Sequence, residues 1–364
     1  MCGDIMENII YYYWLSTVKG LNTRKAASII EYFGSLKEAW LAGADDIMKI
    51  DGISDSMCQK IIQRRDADRL KKEIESIALK GIKILTIDDE AYPKRLKEIF
   101  DPPHVLYIKG NINNDLKCIG IVGTRKCTQY GRIVAREISK LICEYNIGVI
   151  SGMARGIDTE AHIGALEEGG YTCAVLGCGL DIVYPPENSK LMCSIEKYGA
   201  LISEYPPTIQ PFARNFPARN RIISGMCDAV VIVEAGERSG ALITADFALE
   251  QGRDVYAVPG SILSNVSKGT NHLIKEGAKP LTDISDILYE LNIESKTADR
   301  GHYGENLDIR EKMIVDALSD CPIHIDDLMR RLSLRVSEIN SVITCLEMKG
   351  IIKILPGKYI VKIF

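Results

Sequence analysis

The sequence predicts an α/β protein: a Rossmann-like, doubly wound parallel sheet, flanked by an N-terminal helical domain of helix-hairpin-helix (SAM-like) type and a C-terminal winged-helix domain. Three observations carry this. Between residues 116 and 291, short apolar runs alternate with amphipathic segments of helix length: Cys118–Val122, Gly148–Ile150, Cys173–Leu176, Ala200–Ile202, Ala229–Val233 and Val255–Val258. Continuous apolar strands separated by helices mean a parallel sheet covered on both faces. Before it stand two related glycine hairpins, and after it three helical segments followed by two short strands about a Pro-Gly turn.

The chain has 364 residues, and at roughly 150 residues per domain that gives two or three domains. Lys and Arg number 45 against 49 Asp and Glu, a net charge of −4. That excludes attachment to nucleic acid by bulk charge and leaves room for a local basic groove. No apolar run approaches the roughly 20 residues of a membrane span. Met1 to Ile9 carries Asp4 and Glu7 where a secretory leader needs Lys or Arg. A cytoplasmic protein without membrane insertion is expected. The 11 cysteines include no CxxC pair, so scattered free thiols in a reducing compartment are expected.

The elements follow in order. Residues 1–72 form the helical domain. Val18-Lys-Gly20-Leu and Ile50-Asp-Gly52-Ile each place an apolar residue two before a glycine and another directly after it, with an Ile-Ile pair, Ile29–Ile30 or Ile61–Ile62, nine and ten residues beyond the glycine. Glycine permits the tight hairpin, and the following helix N-terminus presents N–H groups to a phosphate. The same motif also serves as a packing or protein-contact module. Residues 73–115 read as a lead-in and linker, broken at Ala91-Tyr-Pro93 and Asp101-Pro-Pro103, with Val105–Ile108 as an edge strand. The core occupies 116–291 and a polar linker 292–307. In the winged helix, 308–364, the third helix near Ser337–Lys349 sets Glu338 and Glu347 against Lys349 alone. That favours a protein-contact or structural role over duplex reading.

Ligands of an open parallel sheet bind beyond the carboxyl ends of the strands. Most strand ends here open into small-residue loops: Gly123-Thr-Arg125, Ser151–Asp158, Gly177-Cys-Gly179, Glu234–Thr244 and Pro259-Gly-Ser261. The dinucleotide fingerprint is missing, since Leu180, Asp181 and Ile182 follow Gly179, and no Walker lysine pattern occurs. No nucleotide cofactor and no metal are expected. Three segments rich in cations contain no acid: 116–136 with Lys117, Arg125, Lys126, Arg132 and Arg136; 205–227 with Arg214, Arg219 and Arg221; and 255–275 with Lys268, His272 and Lys275. Converging on one sheet edge, they suit a strip of phosphates, and Phe212 and Phe216 supply rings for unpaired bases. Phe216 as a core residue fits equally well. A catalytic reading fares worse. Asp158 and His162 are two groups rather than a metal set, Ser151 and Ser239 lack a His–Asp partner, and Glu234 and Glu237 lack a second catalytic group.

Taken together, Ile121-Val-Gly-Thr-Arg125, Ser151-Gly-Met-Ala-Arg-Gly-Ile-Asp158, the Pro211–Gly225 segment, Glu234–Thr244 and Val258-Pro-Gly260 resemble the DprA/Smf family, DNA processing protein A. The resemblance implies a non-catalytic, homodimeric protein that binds single-stranded DNA, protects it during natural transformation and loads RecA recombinase onto it. Carried over by position, it places Gly123, Thr124 and Arg125, with Lys126 beside them, at a backbone phosphate. Ser151 and Gly152 line the same pocket, and Arg214, Phe216, Asn220 and Arg221 line the neighbouring groove; Lys268 is a weaker candidate. Arg125→Ala and Arg221→Ala are each expected to weaken strand binding without unfolding the chain, and Phe216→Ala to weaken it with little change in salt slope. Two other classes stay open. One is a lysine-decarboxylase-like phosphoribohydrolase, from whose Pro-Gly-Gly-x-Gly-Thr signature Glu234-Ala-Gly236 departs. The other is a protein adaptor acting through the end domains.

Overall fold

Helical segments open the chain: α1 (Cys2–Ser16), α2 (Thr23–Phe33), α3 (Leu36–Leu41), α4 (Ala44–Ile47), α5 (Asp55–Gln63) and α6 (Ala67–Leu79). Trp14 holds them together, fully buried, with its indole N–H donated to the Ile61 carbonyl at 2.9 Å. Both expected hairpins form. Gly20 and Gly52 take φ of +92° and +80°, and Asn22 and Ser54 then cap α2 and α5 by accepting from the N–H groups of Lys25 and Met57.

The computed structural model describes residues 2–283, 285–291, 293, 308–318, 322–332, 336–348, 351–355 and 357–362. They fall into two compact units, Met1–Glu294 and Ser295–Phe364. None of the described helices is long and apolar enough to cross a membrane.

In the first unit the helical bundle leads into β1 (Lys83–Thr86), α7 (Lys94–Lys97), β2 (Val105–Gly110), β3 (Cys118–Val122), α8 (Gln129–Glu144), β4 (Gly148–Ser151), α9 (Ile157–Glu167), β5 (Thr172–Leu176), α10 (Ser189–Tyr198) and β6 (Ala200–Ser203). It continues through α11 (Asn215–Gly225), β7 (Ala229–Ile232), α12 (Gly240–Glu250), β8 (Asp254–Ala257), α13 (Lys268–Lys275), β9 (Lys279–Pro280) and α14 (Ser285–Glu290). The sheet order is β1-β2-β6-β5-β4-β3-β7-β8-β9. From β6 to β9 it is parallel, and every residue of β3 to β7 is buried, as strands covered on both faces require.

The segment read as a lead-in does more than connect. β2 lies between β1 and β6, antiparallel to both, so Val105–Ile108 is an interior strand and not an edge. The reason is in its composition: Val105, Leu106, Tyr107 and Ile108 are all buried, half facing the N-terminal helices and half facing α7 and α11. The helical bundle therefore shares its core with the sheet through Val105, Tyr107, Leu176 and Leu201.

The second unit contains α15 (Ile309–Ala317), β10 (Ile323–His324), α16 (Ile325–Leu332), α17 (Val336–Met348), β11 (Ile352–Leu355) and β12 (Tyr359–Lys362), with the sheet ordered β10-β12-β11. Ile314, Leu328, Ile339, Ile343, Leu346 and Ile360 form its core. This is the expected winged helix. Lys349 and the Glu338 side chain lie outside the described residues, as does the 292–307 linker apart from Ile293. Glu347 accepts the Ile354 N–H at 3.1 Å, tying α17 to the wing.

α8 and α9 pack closely because residue 164 has no side chain: a Cβ there would stand 2.3 Å from the Arg136 carbonyl oxygen. Arg136 and Lys140 then reach Glu167 at 2.8 and 3.1 Å. Gly164→Ala is expected to lower unfolding stability by about 1–3 kcal/mol through overpacking. A urea titration with a shifted midpoint and an unchanged slope is the result that checks it.

Candidate nucleic-acid interface

The carboxyl ends of β4 and β5 are joined by a guanidinium. Arg219, on α11, is buried and donates to the carbonyl oxygens of Gly152, at 2.8 Å, and Val175. A Cβ at Gly152 would stand 2.5 Å from the Arg219 Nη2, so only glycine lets that backbone reach the guanidinium. The carboxylate of Asp158, also buried, supplies the counter-charge and accepts the N–H groups of Gly152 and Ala154 at 3.2 and 3.3 Å. Between them Met153 is held at φ +59°, a left-handed conformation that costs on the order of 1–3 kcal/mol. Asn188 supports it, donating to the Met153 carbonyl at 3.1 Å.

In front of this framework lies a narrow crevice lined by Arg125, Gly152, Met153, Arg155, Gly177, Cys178, Tyr184 and Phe216. Phe216 packs against Gly177, with Tyr184 at 5.3 Å on one side and the Arg125 guanidinium 5.3 Å from its ring centre. Asn215 fixes the start of α11 by donating to the Gly177 carbonyl at 3.1 Å. Arg214, just before the helix, stacks over Phe212 at 5.5 Å, and Phe212 is half exposed. Among the described residues neither Arg125 nor Arg214 has a carboxylate partner. Both offer a cation beside a flat ring, the combination that takes a phosphate and a base together.

The sequence-predicted residues divide by role. Arg125, Gly152 and Phe216 line the crevice, and Arg214 stands at the start of α11 beside it. Lys126 is exposed next to Arg125. Gly123 packs against Ile157, and Thr124 has its N–H donated to the Glu234 carbonyl at 2.7 Å. Ser151 is buried and gives its hydroxyl to the Ile121 carbonyl at 2.6 Å. Asn220 bridges Arg219 Nε and the Gly240 carbonyl at 3.2 Å each. Lys268 starts α13 beside the loop after β7, 3.9 Å from Glu237, and is not part of the crevice lining.

Arg221 differs most from expectation. It is buried, with a two-pronged bond to Glu204 at 2.8 and 2.7 Å and its Nε 3.1 Å from Asp101. Its charge is already matched, so it stabilises the fold and presents nothing to a phosphate. The acid-free segments also acquire acids in space. Arg132 meets Glu160 at 3.0 Å, Arg136 meets Glu167, and His272 lies 3.3 Å from Glu276. Sequence reasoning left out Arg155 and Tyr184, which line the crevice, and the roles of Arg219 and Asp158 behind it; the acid-free segment 205–227 contains the first of these two and the small-residue loop 151–158 the second.

The groups weighed for catalysis are engaged elsewhere. Glu234 is buried at the start of α8, accepting from the N–H of Thr128 at 2.8 Å and its hydroxyl at 2.5 Å. His162 lies in the core, 2.7 Å from the Thr172 hydroxyl, which itself donates to the Val149 carbonyl at 2.9 Å. With that hydroxyl hydrogen committed, His162 Nδ1 must be the protonated nitrogen. Burial pushes the His162 pKa down to about 3. Burial also raises Asp158 to about 6, against the pull of Arg219 and the two backbone N–H groups.

Fold and site together define a Rossmann-like protein whose strand-end crevice suits an anionic ligand bearing flat rings. The family model of DNA recombination-mediator protein A matches residues 83–292, and that of the DprA winged helix domain matches residues 304–358. The chain is 41% identical over 276 residues to DNA processing protein DprA of Streptococcus pneumoniae, a match covering 74% of this chain and 94% of that protein. It is 33% identical to protein Smf of Synechocystis sp., covering 97% and 98%. The crystal structure of the S. pneumoniae protein superposes with a TM-score of 0.68 over 77% of this chain and 97% of that one, at 38% identity. DNA processing protein A of Helicobacter pylori, whose structure is described for its single-stranded DNA binding mode, gives 0.53 at 29% identity, covering 58% and 95%. The chain belongs to the DprA/Smf family.

Two outcomes follow for stability. Arg221→Ala leaves Glu204 and Asp101 without their cation and is expected to cost about 3–5 kcal/mol in a urea titration, while Arg125→Ala leaves the midpoint in place. The second concerns pH. Because His162 is held neutral, its contribution is complete above its ordinary 6.5 and is lost as pH falls toward 3. Asp158 acts oppositely: its raised pKa makes the folded state the better proton binder between its ordinary 3.8 and about 6, so acidification through that window adds stability. Asp158→Asn removes the opposing contribution. The variant should lose stability more steeply than the parent between pH 6 and 4, as read from denaturation midpoints.

Proposed function

We propose that this chain binds single-stranded DNA in the crevice at the carboxyl ends of β4 and β5, protects incoming DNA in natural transformation and loads RecA recombinase onto it, without catalysing a reaction. The observation that carries the reading is the Arg125–Phe216 stack: a cation without an ion-paired carboxylate among the described residues and a ring, seated over the Gly152 and Gly177 backbone. The H. pylori relative, known for binding single-stranded DNA, supports the choice of ligand, and family membership supports the transformation and RecA roles. The engagement of Glu234, Ser151 and His162 in structural bonds supports a binding role over the phosphoribohydrolase alternative. A cytoplasmic homodimer fits this reading. Ile262 and Leu263 are 84% and 89% exposed on the loop after β8, an apolar tip that suits self-association.

Fluorescence anisotropy with a labelled single-stranded oligonucleotide, across a salt series and with matched duplex as competitor, tests the proposal. Tight binding that duplex competes poorly is expected, with log K falling by about 0.7 per phosphate neutralised for each unit of log salt. Arg125→Ala should weaken binding and flatten that slope. Phe212→Ala should weaken it by about 1–3 kcal/mol and leave the slope alone, because stacking releases few counterions. No binding at low salt would overturn the proposal. Release of free base from nucleoside monophosphates would put the phosphoribohydrolase in its place.

A further inference from the structure

Arginine lies over phenylalanine at three places among the described residues: Arg125 on Phe216 at 5.3 Å, Arg214 on Phe212 at 5.5 Å and Arg24 on Phe100 at 5.2 Å. The first lines the crevice and the second stands beside it at the start of α11. The third is remote in sequence, at the start of α2 and in the connection from α7 to β2, yet it repeats the same chemistry. Arg24 has no carboxylate partner among the described residues. Phe100 is 86% exposed and forms no part of any core.

The topology places this third stack on the same edge of the sheet. Glu204 follows directly on the carboxyl end of β6 and accepts the Thr23 hydroxyl of α2 at 3.0 Å. Because β2 runs antiparallel to β6, the chain enters β2 at that edge, which puts Phe100 and Asp101 there too. Arg221 joins Asp101 and Glu204 from α11. β2 and β5 are separated by β6 alone, two strand spacings or about 10 Å.

The charge around the stack also suits a polyanion. From Thr17 to Ile30 the first hairpin and the first turns of α2 carry Lys19, Arg24 and Lys25 and no acid, Glu31 coming only in the last turn of the helix. The nearby carboxylates of Asp101 and Glu204 are both turned onto Arg221. The second hairpin is different, with Asp51 and Asp55 flanking Gly52 and Ser54, so the two halves of the repeat are not equivalent.

We propose that the strand-binding crevice continues past the end of β6 onto the first hairpin of the N-terminal helical domain, where Arg24 and Phe100 form a further stacking platform for single-stranded DNA and Lys19 and Lys25 meet its phosphates. The proposal rests on the crevice reading above and extends its length. It assigns the N-terminal domain a direct part in holding the strand.

The test uses the full chain and labelled oligothymidylates of about 6 and about 16 nucleotides, bracketing the footprint of a single-strand-binding fold. The parent should bind the longer strand more tightly. In Arg24→Gln and in Phe100→Ala that gain should shrink by about tenfold, with a salt slope on the longer strand shallower by about 0.7 for Arg24→Gln. Both side chains are exposed, and unchanged urea midpoints would confirm that the fold is intact. A full gain with length in both variants would overturn the extension. Unchanged binding of both strands by Arg125→Ala would instead overturn the crevice reading on which it rests.

Discussion

A guanidinium held in the protein interior governs the arrangement of the crevice. Arg219 is buried, and burial pulls its pKa down to about 10, so its charge survives only because Asp158 and the carbonyls of Gly152 and Val175 surround it. Those partners belong to the ends of β4 and β5 and the first turn of α9, and Arg219 itself belongs to α11. One side chain thus fixes four elements at a common point. The left-handed Met153, the glycine at 152 and the seat of Phe216 on Gly177 all depend on α11 being anchored there.

With that anchor in place, the cations sort into two populations. Arg132, Arg136 and Arg221 are matched by Glu160, Glu167, Glu204 and Asp101, and they bind helix to helix or helix to sheet. Among the described residues Arg125 and Arg214 have no carboxylate within ion-pair distance and lie instead over aromatic rings. A ring face attracts a cation weakly and leaves its N–H groups available, whereas a carboxylate takes them. In a chain of net negative charge, this sorting leaves Arg125 and Arg214 as usable positive charge beside the crevice.

The parallel strands were legible because burial on both faces leaves nothing but apolar residues to read. β1 was harder: Lys83-Ile-Leu-Thr86 is short and only partly buried, and its pairing with β2 depends on partners 19 to 25 residues away. The glycine loops and the acid-free segments pointed to the carboxyl edge of the sheet. What they could not reveal was pairing, since the acids that neutralise Arg132 and Arg221 come from other elements. Arg219 and Arg221 stand two residues apart in one motif, one cradling the strand ends and the other bolting α11 to β6. Local sequence treats them alike.

Both margins of the main sheet are guarded against growth. β9 consists of Lys279 and Pro280, and Lys279 is fastened to Asp254 and Glu290 at 3.1 and 2.8 Å. Proline has no N–H to lend to another strand, so the ladder stops there. At the other margin β1 is four residues long and begins with an exposed lysine, a charge that any incoming strand would have to desolvate. Neither margin of the main sheet therefore offers a second copy a free ladder on which to fuse. That keeps the nine-stranded sheet from recruiting further strands into fibrils along its margins.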